Sequence, residues 1–405
     1  MLRLFNTLGK RSETFRPVNR KGVTVFTCGP SVYQKAHIGN FRTFLFEDIL
    51  VRYLIYAGYP VQRGMNLTDL EDKSIQEAKK QKTTVKRLTE KNIRAFISEM
   101  KALEMKIPDY LPKASECINE VVEIIERLLT LKIAYWHNEN VYFDPLKFPG
   151  FGKLYGLDMS RWPSRKKRFH QDTYPGMQWN LGDFILWHGY RTGNAHYWDT
   201  RIGRGRPSWN VQDPSMISSH FHETLSIYCG GIDNLYRHHD YTLAIVESMR
   251  PYPMARYWLH CEHLCINGQK MSKSRGNIVY IDSLRERGYA LSEIRFFLIY
   301  GHYREKLQYS DKLMRETADT LRNFKRKVKA IERKAAGKTR IENPLMQELE
   351  KNFTGNMDND LNVRDAFDGI CSVVSEIKTD DLKPAEAAGI IKALRTIDEV
   401  FRIIF

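Results

Sequence analysis

The sequence predicts an α/β protein with a β-rich insertion and a C-terminal helical bundle, and three observations carry that reading. Val23-Thr24-Val25-Phe26-Thr27-Cys28 alternates and is rich in β-branched residues, as a strand is; Gly29-Pro30 breaks it, and Phe41 to Tyr56 is apolar at helical spacing. From Ala134 to about Pro207 the pattern changes to short segments with many turns, such as Val141-Tyr142-Phe143-Asp144, Phe184-Ile185-Leu186-Trp187 and Tyr197-Trp198-Asp199. From Asp311 to Phe405 nearly everything reads as helix. One stripe there is Phe367, Ile370, Val374 and Ile377; another is Ile390, Ile391, Leu394, Ile397, Val400, Phe401 and Ile404.

The elements follow in order. Residues 1–75 read as strand, helix, strand, with Pro60 to Asn66 leading into Leu67-Thr68-Asp69-Leu70-Glu71-Asp72-Lys73. A long amphipathic stretch carries Leu88, Ile93, Phe96, Ile97, Met100 and Leu103, and is punctuated by Pro108 and Pro112. A second helix carries Ile118, Val121, Val122, Ile125, Leu128 and Leu129, whose role is packing. Beyond the insertion the core sheet returns at Leu225-Ser226-Ile227-Tyr228-Cys229, followed by Gly230-Gly231-Ile232-Asp233. These shifts divide the chain into 1–133 and 208–310, two halves of one α/β domain, the insertion 134–207, and the bundle 311–405. At 405 residues at least two domains are expected.

Composition narrows the class. An apolar content of 42% suits a globular protein, and there is no bilayer-length apolar run and no signal peptide. Six scattered cysteines do not form a disulfide framework, so a reducing cytoplasm is expected. The net charge of +15 favours polyanions such as nucleic acid. Basic residues gather at Lys79-Lys80-Gln81-Lys82, 161–168 and 323–340.

Two short segments carry chemistry. His37-Ile38-Gly39-Asn40 sits between the strand with its Gly-Pro turn and the helix, a geometry that points backbone N–H groups at an anion. Lys270-Met271-Ser272-Lys273-Ser274 places two lysines three apart in a predicted mobile loop. The pair resembles the two signatures of class I aminoacyl-tRNA synthetases. Further segments resemble cysteinyl-tRNA synthetase: Leu4-Phe5-Asn6-Thr7-Leu8, Cys28-Gly29-Pro30-Ser31-Val32-Tyr33, Asn66-Leu67-Thr68-Asp69, Gly205-Arg206-Pro207-Ser208-Trp209, and Gly230-Gly231-Ile232-Asp233 with His238-His239. The resemblance runs from residue 4 to about residue 375.

It implies a Rossmann-like catalytic domain and an ATP-dependent ligase that makes an aminoacyl-adenylate and passes it to tRNA. By the resemblance, His37, Asn40, Lys270 and Lys273 are catalytic; Gly29, Pro30, Gly39, Thr43, Asn66, Thr68, Gly231 and Asp233 face ATP or the adenylate; and Cys28 and Trp209 line the amino-acid pocket. ATP with Mg2+, an amino acid and tRNA are the implied cofactors and partners, with no membrane and a monomeric chain.

Three departures stand out. The family resembled here holds a zinc ion with two Cys, one His and one Glu; the matching positions are Cys28, Asp213, His238 and Thr242. Threonine is not a usual zinc ligand, and exchanging thiolate for carboxylate hardens the site. Three readings follow: zinc held by Cys28, Asp213, His238 and water; a site rebuilt around Cys229, beside Tyr228, which stands where the family has another His; or a pocket without metal, taking another acid or none. Asn40 replaces the second signature histidine. The chain stops at Phe405, where the family continues into a small anticodon-reading module, so anticodon readout is not expected. Two alternatives therefore accompany the ligase reading: a cysteine ligase with a small-molecule amine acceptor, and a non-catalytic paralogue that binds RNA or a partner. For Cys261-Glu262-His263-Leu264-Cys265 a core strand is preferred to a metal site.

Overall fold

The computed structural model describes residues 1–19, 21–157, 183–193, 196–272, 275–335 and 343–405. Lys273, and the basic run 161–168, lie outside the described residues.

The chain opens with a hairpin, β1 (Arg3–Asn6) and β2 (Arg11–Thr14). Then come β3 (Val23–Thr27), α1 (Ile38–Tyr56) and β4 (Val61–Met65), followed by α2 (Asp72–Lys80), α3 (Val85–Ala102) and α4 (Ile118–Thr130). Strands β5 (Ala134–His137), β6 (Asn140–Phe143), β7 (Phe184–Gly189), β8 (Trp198–Thr200) and β9 (Gly203–Pro207) form one antiparallel sheet in the order β5-β6-β7-β9-β8. The central sheet resumes with α5 (Trp209–Ser218), β10 (Leu225–Gly231), α6 (Asp240–Met249) and β11 (Ala255–Cys261).

That central sheet is parallel, ordered β11-β10-β3-β4. The β3–α1–β4 and β10–α6–β11 units run outward from adjacent strands. The crevice at the carboxyl ends of β3 and β10 is therefore a topological switch point, where open α/β sheets bind ligands. Alternation along the strands sorts the core: Val25, Ile227, Cys229 and Leu259 pack on the α1 side, and Phe26, Tyr228 and Trp258 pack with residues of α5 and α6.

A small sheet, β12 (Leu264–Ile266), β13 (Gln269–Lys270) and β14 (Leu307–Tyr309), carries the lysine segment on its β13 edge. Cys261 and Cys265 are both buried on strands, as expected of a core position. Helices α7 (Ile281–Glu286) and α8 (Leu291–Ile299) lead to α9 (Asp311–Ala335), α10 (Pro344–Met357), α11 (Val363–Glu376) and α12 (Pro384–Phe401). Both predicted stripes of this bundle are buried. Among the described residues no helix is long and apolar enough to cross a membrane.

The bundle is bolted to the sheet through buried charge. Asp48 on α1 accepts from Arg295 of α8 at 2.6 Å, from Arg52 at 3.0 Å and from the Lys106 amide at 2.7 Å. Arg295 also donates to the carbonyls of Phe401 and Leu103. Burial alone would push the Asp48 carboxyl up, but Arg295 and then Arg52 pull it below its ordinary value. Such a group stabilises above the ordinary carboxylate range, and the contribution is lost as pH falls through its lowered pKa. Asp48→Ala leaves Arg295 buried without its counter-charge and is expected to cost about 3–5 kcal/mol in urea unfolding at neutral pH. The gap between variant and native chain should narrow in acid.

Candidate functional site

The two signature segments meet. The Ile38 amide, at the start of α1, donates to the Val279 carbonyl just beyond the lysine loop at 3.0 Å. A Cβ on Gly39 would lie 3.0 Å from the His37 ring and 3.5 Å from Met271 Cβ, so the ring folds over Gly39 and Met271 covers it. His37 is the N-cap of α1, and its amide donates to Asn40 Oδ1 at 3.1 Å. Asn40 thus closes the helix start through its carbonyl, which leaves its amide nitrogen as the donor toward a ligand.

The carboxyl end of β10 completes this side. Asp233 is exposed and pairs with Lys270 Nζ at 2.5 Å, with His263 Nδ1 at 3.8 Å. Desolvation opposes its ionisation, but Lys270 and then His263 hold the Asp233 carboxyl below its ordinary value. A Cβ on Gly231 would meet Asp233 Oδ1 at 2.8 Å, with Thr43 Oγ1 at 3.7 Å. His37, Gly39, Thr43, Gly231, Asp233 and Lys270 therefore rim one crevice. Gly29 lies at its floor: its amide donates to Asn66 Oδ1 at 2.6 Å, and a Cβ there would fall 1.9 Å from the Asn66 carbonyl oxygen. The Pro30 carbonyl accepts from the Thr68 amide at 3.2 Å, which ties the turn after β3 to the segment after β4.

Beside this crevice lies a buried polar cluster centred on Asp213 of α5. Its Oδ2 accepts from the Tyr228 hydroxyl at 3.0 Å and lies 3.0 Å from His238 Nε2 and 3.5 Å from Cys28 Sγ. Its Oδ1 accepts from Asn66 Nδ2 at 3.0 Å. Burial alone would raise the Asp213 carboxyl; His238, then Tyr228 and Cys28, bring it below the ordinary range. Burial and Asp213 push the Cys28 thiol well up, and burial, Cys28 and Asp213 do the same to the Tyr228 hydroxyl. Both groups are therefore protonated.

A histidine chain runs from this cluster. Cys28 Sγ lies 3.0 Å from His239 Nε2, His239 Nδ1 lies 2.8 Å from His260 Nε2, and His260 Nδ1 lies 2.9 Å from Thr7 Oγ1. Burial, with His260 and His238 adding to it, lowers His239 far below its ordinary value, and burial brings His260 to about 3. Neutral rings let the chain run in one direction throughout, and with the Cys28 thiol donating to Asp213 each group donates to the next from Thr7 to the Cys28 sulfur. The chain kinks at Arg237 (φ +68°), and two successive histidines then serve one pocket. Trp209, the first residue of α5, stacks on His238 with centroids 4.1 Å apart.

Cys28, His238 and His239 bring three potential ligand atoms within 4.8 Å of one another. The geometry is nonetheless that of hydrogen bonds. Tetrahedral zinc would hold a sulfur–nitrogen pair about 3.6 Å apart and an oxygen–nitrogen pair about 3.3 Å apart. Cys28–His239 and His238–Asp213, each 3.0 Å, are shorter than those edges, whereas Cys28–Asp213 at 3.5 Å is compatible with either. A metal-bound histidine normally donates its other nitrogen to a partner, whereas His238 Nδ1 has none among the described residues. Thr242 is fully buried on α6 and its hydroxyl is likewise unpartnered. The residues present do not fit the zinc ion that the family resembled holds with two thiolates, an imidazole and a carboxylate.

The reading built around Cys229 is corrected. Strand alternation sends Cys229 into the core on the α1 side, and Tyr228 is the residue that enters the pocket. Sequence reasoning misses the chain of His239, His260 and Thr7. The sequence holds one signal for it, since period-two alternation along β11 puts His260 on the same face as Trp258.

The fold and the converging signatures define a class I aminoacyl-tRNA synthetase catalytic domain. The family described as "tRNA synthetases class I (C) catalytic domain" matches residues 14–319. A cysteine–tRNA ligase of Chlamydia pneumoniae is 35% identical over all of this chain and 86% of its own length. One of Koribacter versatilis is 35% identical over all of this chain and 82% of its own. Among solved structures, Mycobacterium tuberculosis methionyl-tRNA synthetase with methionyl-adenylate superposes with a TM-score of 0.64 at 15% identity, covering 95% of this chain and 90% of that one. A ternary complex of Agrobacterium radiobacter LeuRS with tRNA and LeuAMS gives 0.68 at 12% identity, covering 96% and 85%. The chain belongs to the cysteinyl-tRNA synthetase family.

Gly29→Ala, which sets a methyl group 1.9 Å from the Asn66 carbonyl oxygen, is expected to separate the ends of β3 and β4. Calorimetry should show ATP binding weakened at least about tenfold, about 1.4 kcal/mol.

Proposed function

We propose that this ATP-dependent aminoacyl-tRNA ligase activates a small amino acid at the β3–β10 crevice and esterifies tRNA with it. The observation that carries this reading is the meeting of the His37–Asn40 cap with the lysine segment over one open crevice. In the first step a carboxylate oxygen of the amino acid attacks the α-phosphorus of ATP and pyrophosphate leaves. In the second a ribose hydroxyl of tRNA attacks the acyl carbon and AMP leaves.

This chain's residues position and stabilise charge. Asp233 accepts from the ribose hydroxyls once Lys270 turns to the phosphates. His37 and the Asn40 amide, at the start of α1, donate to phosphate oxygens, and the dipole of that helix adds to the field. Lys273, three residues beyond Lys270, is assigned to the triphosphate that Mg2+ accompanies. Gly29, Pro30, Asn66 and Thr68 shape the floor, and Cys28, Trp209 and the Asp213 cluster bound the amino-acid end. The catalytic unit is assigned to 1–133 and 208–310, with the insertion at 134–207 and the bundle at 311–405.

The bundle supports a tRNA acceptor. Arg315, Arg326, Lys329 and Arg333 are exposed on α9 and share one face. A basic stripe of this kind reads phosphate backbone and binds with steep salt dependence.

Pyrophosphate exchange with each of the twenty amino acids tests the first step, and exchange with a small amino acid is expected. No exchange with any would overturn it. Lys270→Ala should lower kcat for exchange by about 10²–10³-fold while leaving amino-acid binding little changed. Replacing Arg326 and Arg333 together by Ala should weaken tRNA binding and flatten its log–log salt slope by roughly 2.

A further inference from the structure

We propose that the amino-acid pocket of this chain works without metal: the Asp213 carboxylate organises it through hydrogen bonds, and a small thiol- or hydroxyl-bearing side chain is selected by hydrogen bonding to His238 and Thr242. This rests on the ligase reading above, which it deepens by naming the substrate class and how that class is held.

The Asp213 carboxylate is already coordinated as an anion. Tyr228, His238 and Asn66 each lie 3.0 Å from one of its oxygens, and Cys28 lies 3.5 Å away. These groups come from β10, the kinked turn before α6, the end of β4 and the end of β3. Three of these contacts fall on Oδ2, which is thereby saturated, and Oδ1 accepts from Asn66. The Tyr228 hydroxyl lies within 3.5 Å of both Asp213 Oδ2 and Cys28 Sγ. Cys28, in turn, begins the closed chain through His239 and His260 to Thr7. The thiol, the carboxylate and the Nε2 atoms of both histidines each face a partner inside the protein.

Two buried polar atoms are left over. His238 Nδ1 and Thr242 Oγ1 have no partner among the described residues, and their residues are 4% and 0% exposed. They stand four apart, at the two positions where the family resembled here has its His and Glu zinc ligands. A buried unsatisfied polar group costs about 1–3 kcal/mol, which a side-chain thiol or hydroxyl can recover on binding. Trp209, stacked on His238, holds that ring in place. Without a thiol-selective ion, thiol and hydroxyl are near-isosteres in one hydrogen-bonding pocket. Discrimination between cysteine and serine should then fall to the order of 10²-fold or less.

The test is elemental analysis of the full-length chain, expressed with zinc in the medium and dialysed against metal-free buffer, followed by titration with Co2+. The expected result is far less than one zinc per chain and no thiolate-to-cobalt charge-transfer band. About one tightly held zinc per chain, or that band, would overturn the proposal. Asp213→Cys combined with Thr242→Glu restores the family's four ligands in kind and is the positive control; the native chain decides the question even if this variant does not fold. Pyrophosphate exchange with cysteine and with serine, with and without o-phenanthroline, gives a second reading. Chelator-insensitive exchange, with kcat/KM for the two within about 10²-fold, supports the proposal. Loss of exchange on chelation overturns it while leaving the ligase reading intact. Exchange with no amino acid overturns the ligase reading and with it the assignment of a substrate class, whereas the metal content is read independently.

Discussion

A carboxylate buried at the centre of a protein has to be compensated, and here that requirement organises the pocket. Asp213 is fully buried, and its donors come from the ends of two central strands, from mid-strand Tyr228 and from a kinked turn. Leaving such a charge unpaired would cost several kcal/mol. The arrangement therefore constrains Asn66, and through Asn66 the Gly29 amide that begins the turn toward the ATP crevice. One residue thus links the Asp213 cluster to the β3–β10 crevice. The same logic explains Arg237: a strained backbone angle is retained where it lets both His238 and His239 enter the pocket.

The crevice obeys a different constraint, that of the parallel sheet. Connections leaving β3 and β10 in opposite directions open a crevice between them whatever side chains they carry. Glycines keep it open, since Gly29, Gly39 and Gly231 each sit where a Cβ would press on a neighbour. The exposed Lys270–Asp233 pair closes one rim. Exposed pairs contribute little to stability, so this one is easily exchanged for a pair with a ligand. The buried half of the site is satisfied within the protein except at His238 Nδ1 and Thr242 Oγ1; the open half is held in readiness.

Much of this is legible in the sequence. The β-branched run before Gly29-Pro30 is β3, the turn-rich stretch from Ala134 is an antiparallel sheet ending at Pro207, and the apolar stripes beyond Asp311 are the buried faces of the bundle. Those features follow from local periodicity. The pairing of the signature segments is also readable, because each carries its own chemistry. What is not readable depends on contacts distant in sequence or on which end of a side chain is used. Asn40 reads as a phosphate donor, and its carbonyl caps the helix as well. Cys229 reads as a candidate ligand, although its position in β10 points it into the core. The chain from Cys28 through His239 and His260 to Thr7 joins four separate segments, and no spacing rule announces it.

The central proposal is thus a hydrogen-bonded carboxylate, rather than a metal ion, at the centre of the Asp213 cluster. Diffraction from crystals of the chain grown with zinc present, recorded on both sides of the zinc absorption edge, tests this most directly. The expected result is no anomalous density within bonding distance of Cys28, Asp213 or His238, and the Tyr228 hydroxyl on the carboxylate. An anomalous peak bonded to the Cys28 sulfur and the His238 imidazole, with Tyr228 displaced, would contradict it.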